Sequence, residues 1–209
     1  MRWLKSLILS LAIVGSGSVA AAAADSDPAA RKIETFYAGL VDTMKRGPQL
    51  GMRGRFQALT PVVDATFDFP DMIKFIVGPS WSSMSDDDHK ALTTAFRRMT
   101  IANYAGNFDS FNGERFAVDP AIQVKGTDKF VQSTLTPKGE APVPFTYRMR
   151  DTGGDWKVID IYLNGYVSEL ATRRSDFAAT LTGGGAKALE QKLDTLTDNL
   201  LAGAKPASQ

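Results

Sequence analysis

The chain has no cysteine and one histidine in 209 residues. The first absence excludes disulfides, thiolate metal sites and a cysteine nucleophile. The second leaves one candidate for imidazole chemistry. His89 follows Asp86, Asp87 and Asp88, which in turn follow Ser85. That order reads as a helix start, with a capping serine and acid in the first turn, where the exposed amides and helix dipole favour it. No serine or acid is tied to His89 by a triad motif. Excess charge of one sign is also missing, with 24 basic against 23 acidic residues. A nucleic-acid binder would carry a basic excess gathered on one face, so no nucleic-acid partner is expected. Gly183-Gly184-Gly185-Ala186-Lys187 lacks the spacing of a phosphate-binding loop and the Ser or Thr after its lysine, and reads instead as a helix stop and joint. No cofactor motif is present.

Long apolar runs are scarce as well. Leu7 to Val14 is the longest near the start, and Gly15-Ser16-Gly17 interrupts it, far short of the ~20 residues needed to span a bilayer. Behind a basic Met1-Arg2-Trp3-Leu4-Lys5 and ahead of the alanines Ala20 to Ala24, it reads as a signal peptide over residues 1–24, cleaved near Ala24. Residues 25–209 then form one domain of about 185 residues, enough for a sizeable core, exported to a cell envelope.

What is present is a switch of period. Pro28 to about Arg46 carries Ile33, Phe36, Tyr37, Leu40, Val41 and Met44 at helical spacing. Helical stretches follow over about Arg53 to Phe67, with a kink expected at Pro61, over Asp71 to Val77, and from Ser85 towards Phe108. From Arg115 the period becomes two. Strands are expected over Arg115–Lys125, Lys129–Thr136, Val143–Asp151 and Asp155–Leu163, joined by short turns and therefore antiparallel. Helices over Val167–Leu181 and Ala186–Leu201, separated by the glycine run, close the chain. Helices segregated from an antiparallel sheet make this an α+β fold.

The strand side chains suggest a binding space. Phe145, Tyr147 and Met149 share one face of the third strand while Thr146, Arg148 and Arg150 share the other. In the fourth, Trp156, Val158 and Tyr162 alternate with Ile159, Ile161 and Leu163, as though that strand were central and covered on both sides. Such stripes fill solid cores. The supply of large, adaptable residues also suits an apolar pocket, with Phe145, Tyr147 and Met149 on one wall and Met72, Ile76, Phe96 and Met99 opposite. Asp160, in the covered strand near Tyr162 and Arg148, must be paired or hydrogen-bonded if buried. Arg97-Arg98 and Arg173-Arg174 are either solvated or a means of steering a partner.

The segment from Trp156 to Phe177, with "FPDMIKFIVGPSW" and "FRRMTIANYAGNFDSF" upstream, resembles the MlaC and toluene-tolerance family of periplasmic lipid-transport proteins, most closely its hopanoid-biosynthesis-associated HpnM branch. The family's pattern corresponds to Trp156, Asp160, Gly165, Ser168 and Arg174-Ser175-Asp176-Phe177, with one extra residue here between Gly165 and Arg174. The resemblance implies a curved antiparallel sheet packed with N- and C-terminal helices, NTF2-like in outline, enclosing an apolar pocket. It also implies a non-enzymatic shuttle for a membrane lipid, phospholipid or hopanoid. Such a shuttle exchanges its lipid with an inner-membrane ABC transporter complex and an outer-membrane lipoprotein complex. The physical need is plain: at about 0.8 kcal/mol per CH₂, a lipid with ~30 of them costs roughly 24 kcal/mol to leave in water. Two alternatives stay open. A buried Asp160 could be the general base of an NTF2-like pocket enzyme acting on a small apolar substrate, or the chain could be an envelope interaction protein without a ligand.

Overall fold

The computed structural model describes residues 26–205; the expected signal peptide lies outside the described residues. Helix α1 (Pro28–Lys45) starts where Asp27 accepts from the Ala29 amide at 2.9 Å and Pro28 occupies the first turn. It buries Ile33, Phe36, Tyr37, Leu40 and Met44, each worth about 1.5–3 kcal/mol on removal from water. Helix α2 (Gly47–Thr66) runs straight through Pro61; its break lies instead at Gly51, with φ 60°, a conformation that is cheap only for glycine. The expected proline kink is absent because Leu59 and Val63, both fully buried on either side of Pro61, hold the helix against the core at the cost of one hydrogen bond.

Helix α3 (Phe69–Val77) is capped by Asp68 and leads through a 3₁₀ turn over Gly78–Ser83 into α4 (Asp86–Asn107). Ser85 and Asp88 form a reciprocal capping box at that start. His89 stacks on Trp81 with ring centroids 3.9 Å apart, and its Nε2 lies 2.9 Å from the Trp81 carbonyl oxygen. A carbonyl can only accept, so Nε2 carries the proton.

The strands are β1 (Arg115–Val118), β2 (Gln123–Lys125), β3 (Asp128–Thr136), β4 (Val143–Asp151), β5 (Trp156–Leu163) and β6 (Val167–Ser168). They form one antiparallel sheet in the order β1-β3-β4-β5-β6, with β2 also pairing along β3. The strand expected over Arg115–Lys125 is thus two strands, divided around Pro120, which lacks a donor for the ladder. The last helix, α5 (Glu169–Leu201), is one element broken at Gly185, φ 65°. Val167 and Ser168, expected to be helical, pair with β5 instead.

Strand β5 corrects the expectation of a central strand covered on both faces. Among the described residues, its only neighbours besides β4 are the two-residue β6 and a bridge from Phe67 to Val158. The apolar pattern has another cause, a β-bulge. Arg148 faces Asp160 but Met149 faces Val158, leaving Ile159 unpaired. One extra residue reverses the alternation. Ile161, opposite Tyr147, and Val158, opposite Met149, therefore both join the helix-facing core, although strict alternation assigns them to opposite faces.

Ion pairs tie the layers together. Arg97 pairs with Asp64 of α2, and Arg98 reaches Asp194 at 2.6 Å and Asp198 at 3.6 Å on α5. These two arginines thus tie α4 to its neighbours. Asp128, 4% exposed, accepts from Arg148 and Arg150, and Arg150 also reaches Asp71 of α3 at 3.0 Å. Hydrogen bonds from Arg150 hold the Asp128 carboxyl below the usual carboxylate range, burial opposes this, and Arg148 reinforces it. A depressed acid contributes stability that is full above its unfolded pKa and is lost as pH falls through the folded value. Asp128→Asn is therefore expected to lower unfolding free energy by about 1–3 kcal/mol at neutral pH. The gap between variant and wild type should close below about pH 4, as read by urea denaturation at several pH values.

Candidate functional site

The helix-facing side of the sheet is not filled by side chains. A cavity of ≈ 250 Å³ lies between β4 and β5 on one wall and α1, α3, α4 and the first turns of α5 on the other. Phe145 and Tyr147 of β4 and Ile161 and Leu163 of β5 line the sheet wall. Deep lining comes from Phe36 and Leu40 of α1, Met72 of α3, and Phe96 and Met99 of α4, all buried. Towards the opposite end the lining becomes partly exposed, through Leu135, Leu163, Glu169 and Arg173 to the exposed Asn107. The cavity is therefore closed at one end and opens where β5 hands over to α5.

Of the seven residues expected to line a pocket, Met72, Phe96, Met99, Phe145 and Tyr147 converge on this cavity. Ile76 and Met149 do not line it. Met149, 0% exposed, sits opposite Lys129 and Val158 near the closed end. There Lys129 is held by Asp27 at the start of α1, with its Nζ at 4.3 Å from the Trp156 ring centroid. Ile76 lies one turn beyond Met72, where α3 has left the sheet and packs on α4 and α5.

Besides Thr100, Asn103, Tyr104 and Asn107 in the lining, three sets of polar groups lie in or beside it. Tyr37 lies 2.6 Å from the Ser133 hydroxyl and donates to the Tyr147 hydroxyl at 3.0 Å. Burial pushes both phenols up, so they stay protonated and satisfy one another. Asp160, 5% exposed, is not among the lining residues. Its carboxylate accepts from the Ile161 amide at 2.8 Å, the Ser168 hydroxyl at 2.7 Å and the Leu170 amide at 3.3 Å. Ser168 in turn caps α5 by accepting from the Ala171 amide at 3.0 Å. Asp160 thus fixes the start of α5 against β5. Arg148, its cross-strand neighbour, turns away to Asp128.

The third set is Glu169 and Arg173, one turn apart on α5 and both lining the opening. Their closest charged atoms are 3.9 Å apart, with side chains 17% and 22% exposed. Burial pushes the Glu169 carboxyl above its usual range, Arg173 opposes this, and Asp160 and Asp176 add to the rise. Arg174, the next residue, instead lies over the Phe75 ring, 5.8 Å from its centroid.

Thr100, Asn103 and Asn107 of α4 were not among the expected lining residues, although a spacing in the sequence marks them. Phe96, Thr100, Asn103 and Asn107 recur at intervals of four and three, so polar residues sit on the face that packing alone would make apolar. Glu169 had no such signal, because an (i, i+4) acid–base pair looks the same on any solvated helix.

A mixed helix and antiparallel-sheet domain with a one-ended apolar cavity is the architecture of a binding protein for apolar molecules. A family profile described as "MlaC protein" matches residues 34–195, and the chain belongs to the MlaC family. It is 24% identical over 111 residues to the toluene tolerance protein Ttg2D of Pseudomonas putida, covering 53% of this chain and 52% of that protein. The chain thus matches about half the length of this curated relative. The fold resembles that of a phospholipid-binding protein from Ralstonia solanacearum, solved in complex with a phospholipid. The TM-score is 0.72 at 26% identity, over 82% of this chain and 98% of that one.

Ser168→Ala removes both the α5 cap and one donor to Asp160, and should lower stability by about 1–2 kcal/mol. Amide hydrogen exchange at Leu170 and Ala171 should quicken in the same variant, more than at amides in β3.

Proposed function

We propose that this protein is a periplasmic carrier that holds the acyl chains of a membrane phospholipid in the cavity between β4–β5 and α4 and hands the lipid between membranes. The observation that carries this reading is the cavity itself: an apolar space closed at one end, with its charged residues gathered at the other. That is the distribution a lipid presents, tails inward and headgroup at the mouth. Membership of the MlaC family supports it, as does the likeness to a protein that binds phospholipid. Export by an N-terminal signal peptide is part of the proposal. So is exchange with an inner-membrane ABC transporter complex and an outer-membrane lipoprotein complex, as the resemblance implies.

Two features bear on how loading works. The cavity, at ≈ 250 Å³, is below the ~300–1,000 Å³ of pockets that bury drug-sized ligands, so a two-chain lipid requires the sheet and helices to part. Among the described residues no helix is long and apolar enough to cross a membrane. A hopanoid, rigid and wide, fits the sequence resemblance to the HpnM branch. The charged pair at the mouth favours a cargo with a charged headgroup. The general base of a pocket enzyme is not supplied by Asp160, whose oxygens are occupied by three donors.

The test is organic extraction and mass spectrometry of protein purified from the envelope of its own cells. One lipid per chain is expected, and protein free of lipid would contradict the reading. Phe145→Asp places a charge on the half-buried part of the sheet wall. It should reduce co-purifying lipid at least ~10-fold, because a charge against acyl chains is strongly disfavoured, while the far-ultraviolet circular dichroism stays that of the wild type.

A further inference from the structure

We infer that Glu169 and Arg173 together form a headgroup site for a zwitterionic aminophospholipid, Arg173 receiving the phosphate and Glu169 the primary ammonium. The inference rests on the carrier reading above and adds to it which lipid the mouth selects.

The two side chains differ from an ordinary pair on a helix surface in three ways. They line the cavity rather than face bulk water, at its partly exposed end. They are shielded, at 17% and 22% side-chain exposure, so their charges are weakly screened. And they are incompletely used. Their 3.9 Å separation exceeds hydrogen-bond distance, and neither side chain makes a hydrogen bond to any described residue. Arg97, Arg98, Arg148 and Arg150, by contrast, each donate directly to a carboxylate. Arg173 therefore keeps its planar fork of donors available, the geometry that suits a phosphate.

A purely anionic headgroup would satisfy Arg173 but meet Glu169, with Asp160 and Asp176 adding to the negative field around that carboxylate. An uncharged lipid would leave both charges shielded and poorly paired, which is costly. A phosphate joined through a two-carbon bridge to an ammonium supplies both counter-charges in one small group. The positions of the groups agree with that orientation. Leu170, between the pair in sequence, belongs to the apolar lining, so tails in the cavity and headgroup on the pair form one continuous track. Asn107 of α4 lines the same cavity and offers a neutral amide to the ester and phosphate oxygens, whereas the Asn103 amide donates to the Met99 carbonyl at 3.0 Å. The Asp160–Ser168 anchor fixes the helix turn that carries Glu169 and Arg173, so the site is held in place by the sheet.

The test uses the full-length mature protein, stripped of lipid and equilibrated with vesicles of equal parts phosphatidylethanolamine and phosphatidylglycerol with identical acyl chains. Bound lipid is then extracted and counted by mass spectrometry. Wild type should be enriched in phosphatidylethanolamine by on the order of tenfold, the scale of one charge-assisted hydrogen bond. Glu169→Gln should abolish or reverse the enrichment while total lipid is retained. Arg173→Gln should lower the occupancy of both lipids, and Arg173→Lys should restore it only in part, since a lysine supplies the charge without the planar fork. Free phosphoethanolamine at millimolar concentration should not displace bound lipid, because the tails hold the cargo. Wild type that takes up both lipids in the vesicle ratio would overturn the inference while leaving the carrier reading intact. So would a Glu169→Gln protein, folded by circular dichroism, with unchanged enrichment. Wild type that takes up neither lipid would overturn both.

Discussion

The buried carboxylate of Asp160 has to be satisfied where it lies, and the donors that satisfy it come from the residues that begin the last helix. The Ser168 hydroxyl and the Leu170 amide converge on it from across the short β5–β6 turn, so α5 can start in only one place and direction. Leaving such a group unpaired would cost several kcal/mol, more than most single contacts in the molecule contribute. Because Glu169, Leu170 and Arg173 sit on that first stretch of helix, the wall of the cavity mouth follows from the same constraint. The opposite end is set by a different pair, Lys129 with Asp27, which seats α1 over the sheet.

Between those two anchors the sheet offers more apolar surface than the helices fill. The bulge at Arg148/Met149 brings Ile161 and Val158 onto one side, widening the apolar strip on β5. Helices α1 and α4 cover it from above, and α3 departs after Met72 towards α4 and α5. Away from the charged mouth the remaining space is largely apolar, and the Tyr37 and Tyr147 hydroxyls pair with each other and with Ser133. Such a space is poorly suited to water and well suited to hydrocarbon. The proposed function rests on what the packing leaves open, and the shape of that opening comes from where the hydrogen bonds pin the helices.

Much of this was legible in the sequence, for physical reasons that also mark the limits. Helix faces such as Ile33–Phe36–Leu40 and strand faces such as Phe145–Tyr147 repeat a local period, so the α+β class and five of the cavity-lining residues could be read directly. The bulge could not, because one unpaired residue in β5 is invisible to a pattern that assumes strict alternation. It made a near-edge strand look like a central one. Pro61 misled in the opposite sense, since its local preference for a kink was overridden by tertiary packing at Leu59 and Val63. Ile76 and Met149 carried the right chemistry at the right period but lay beyond the ends of the space, which only the tilt of α3 and the seating of α1 decide. Glu169 and Arg173 were hidden for another reason: whether a helix pair faces water or a cavity depends on the anchor at Asp160, eight residues from Ser168 in sequence.

The central claim is that the space between β4–β5 and α4 is where a lipid's hydrocarbon resides. A crystal structure of the protein loaded with a two-chain phospholipid tests it most directly. The account predicts acyl density running from the Glu169–Arg173 end between Phe145 and Tyr147 on one side and Phe96 and Met99 on the other, in a cavity enlarged beyond ≈ 250 Å³. Lipid bound elsewhere on the surface, with that cavity unchanged and unoccupied, would contradict it.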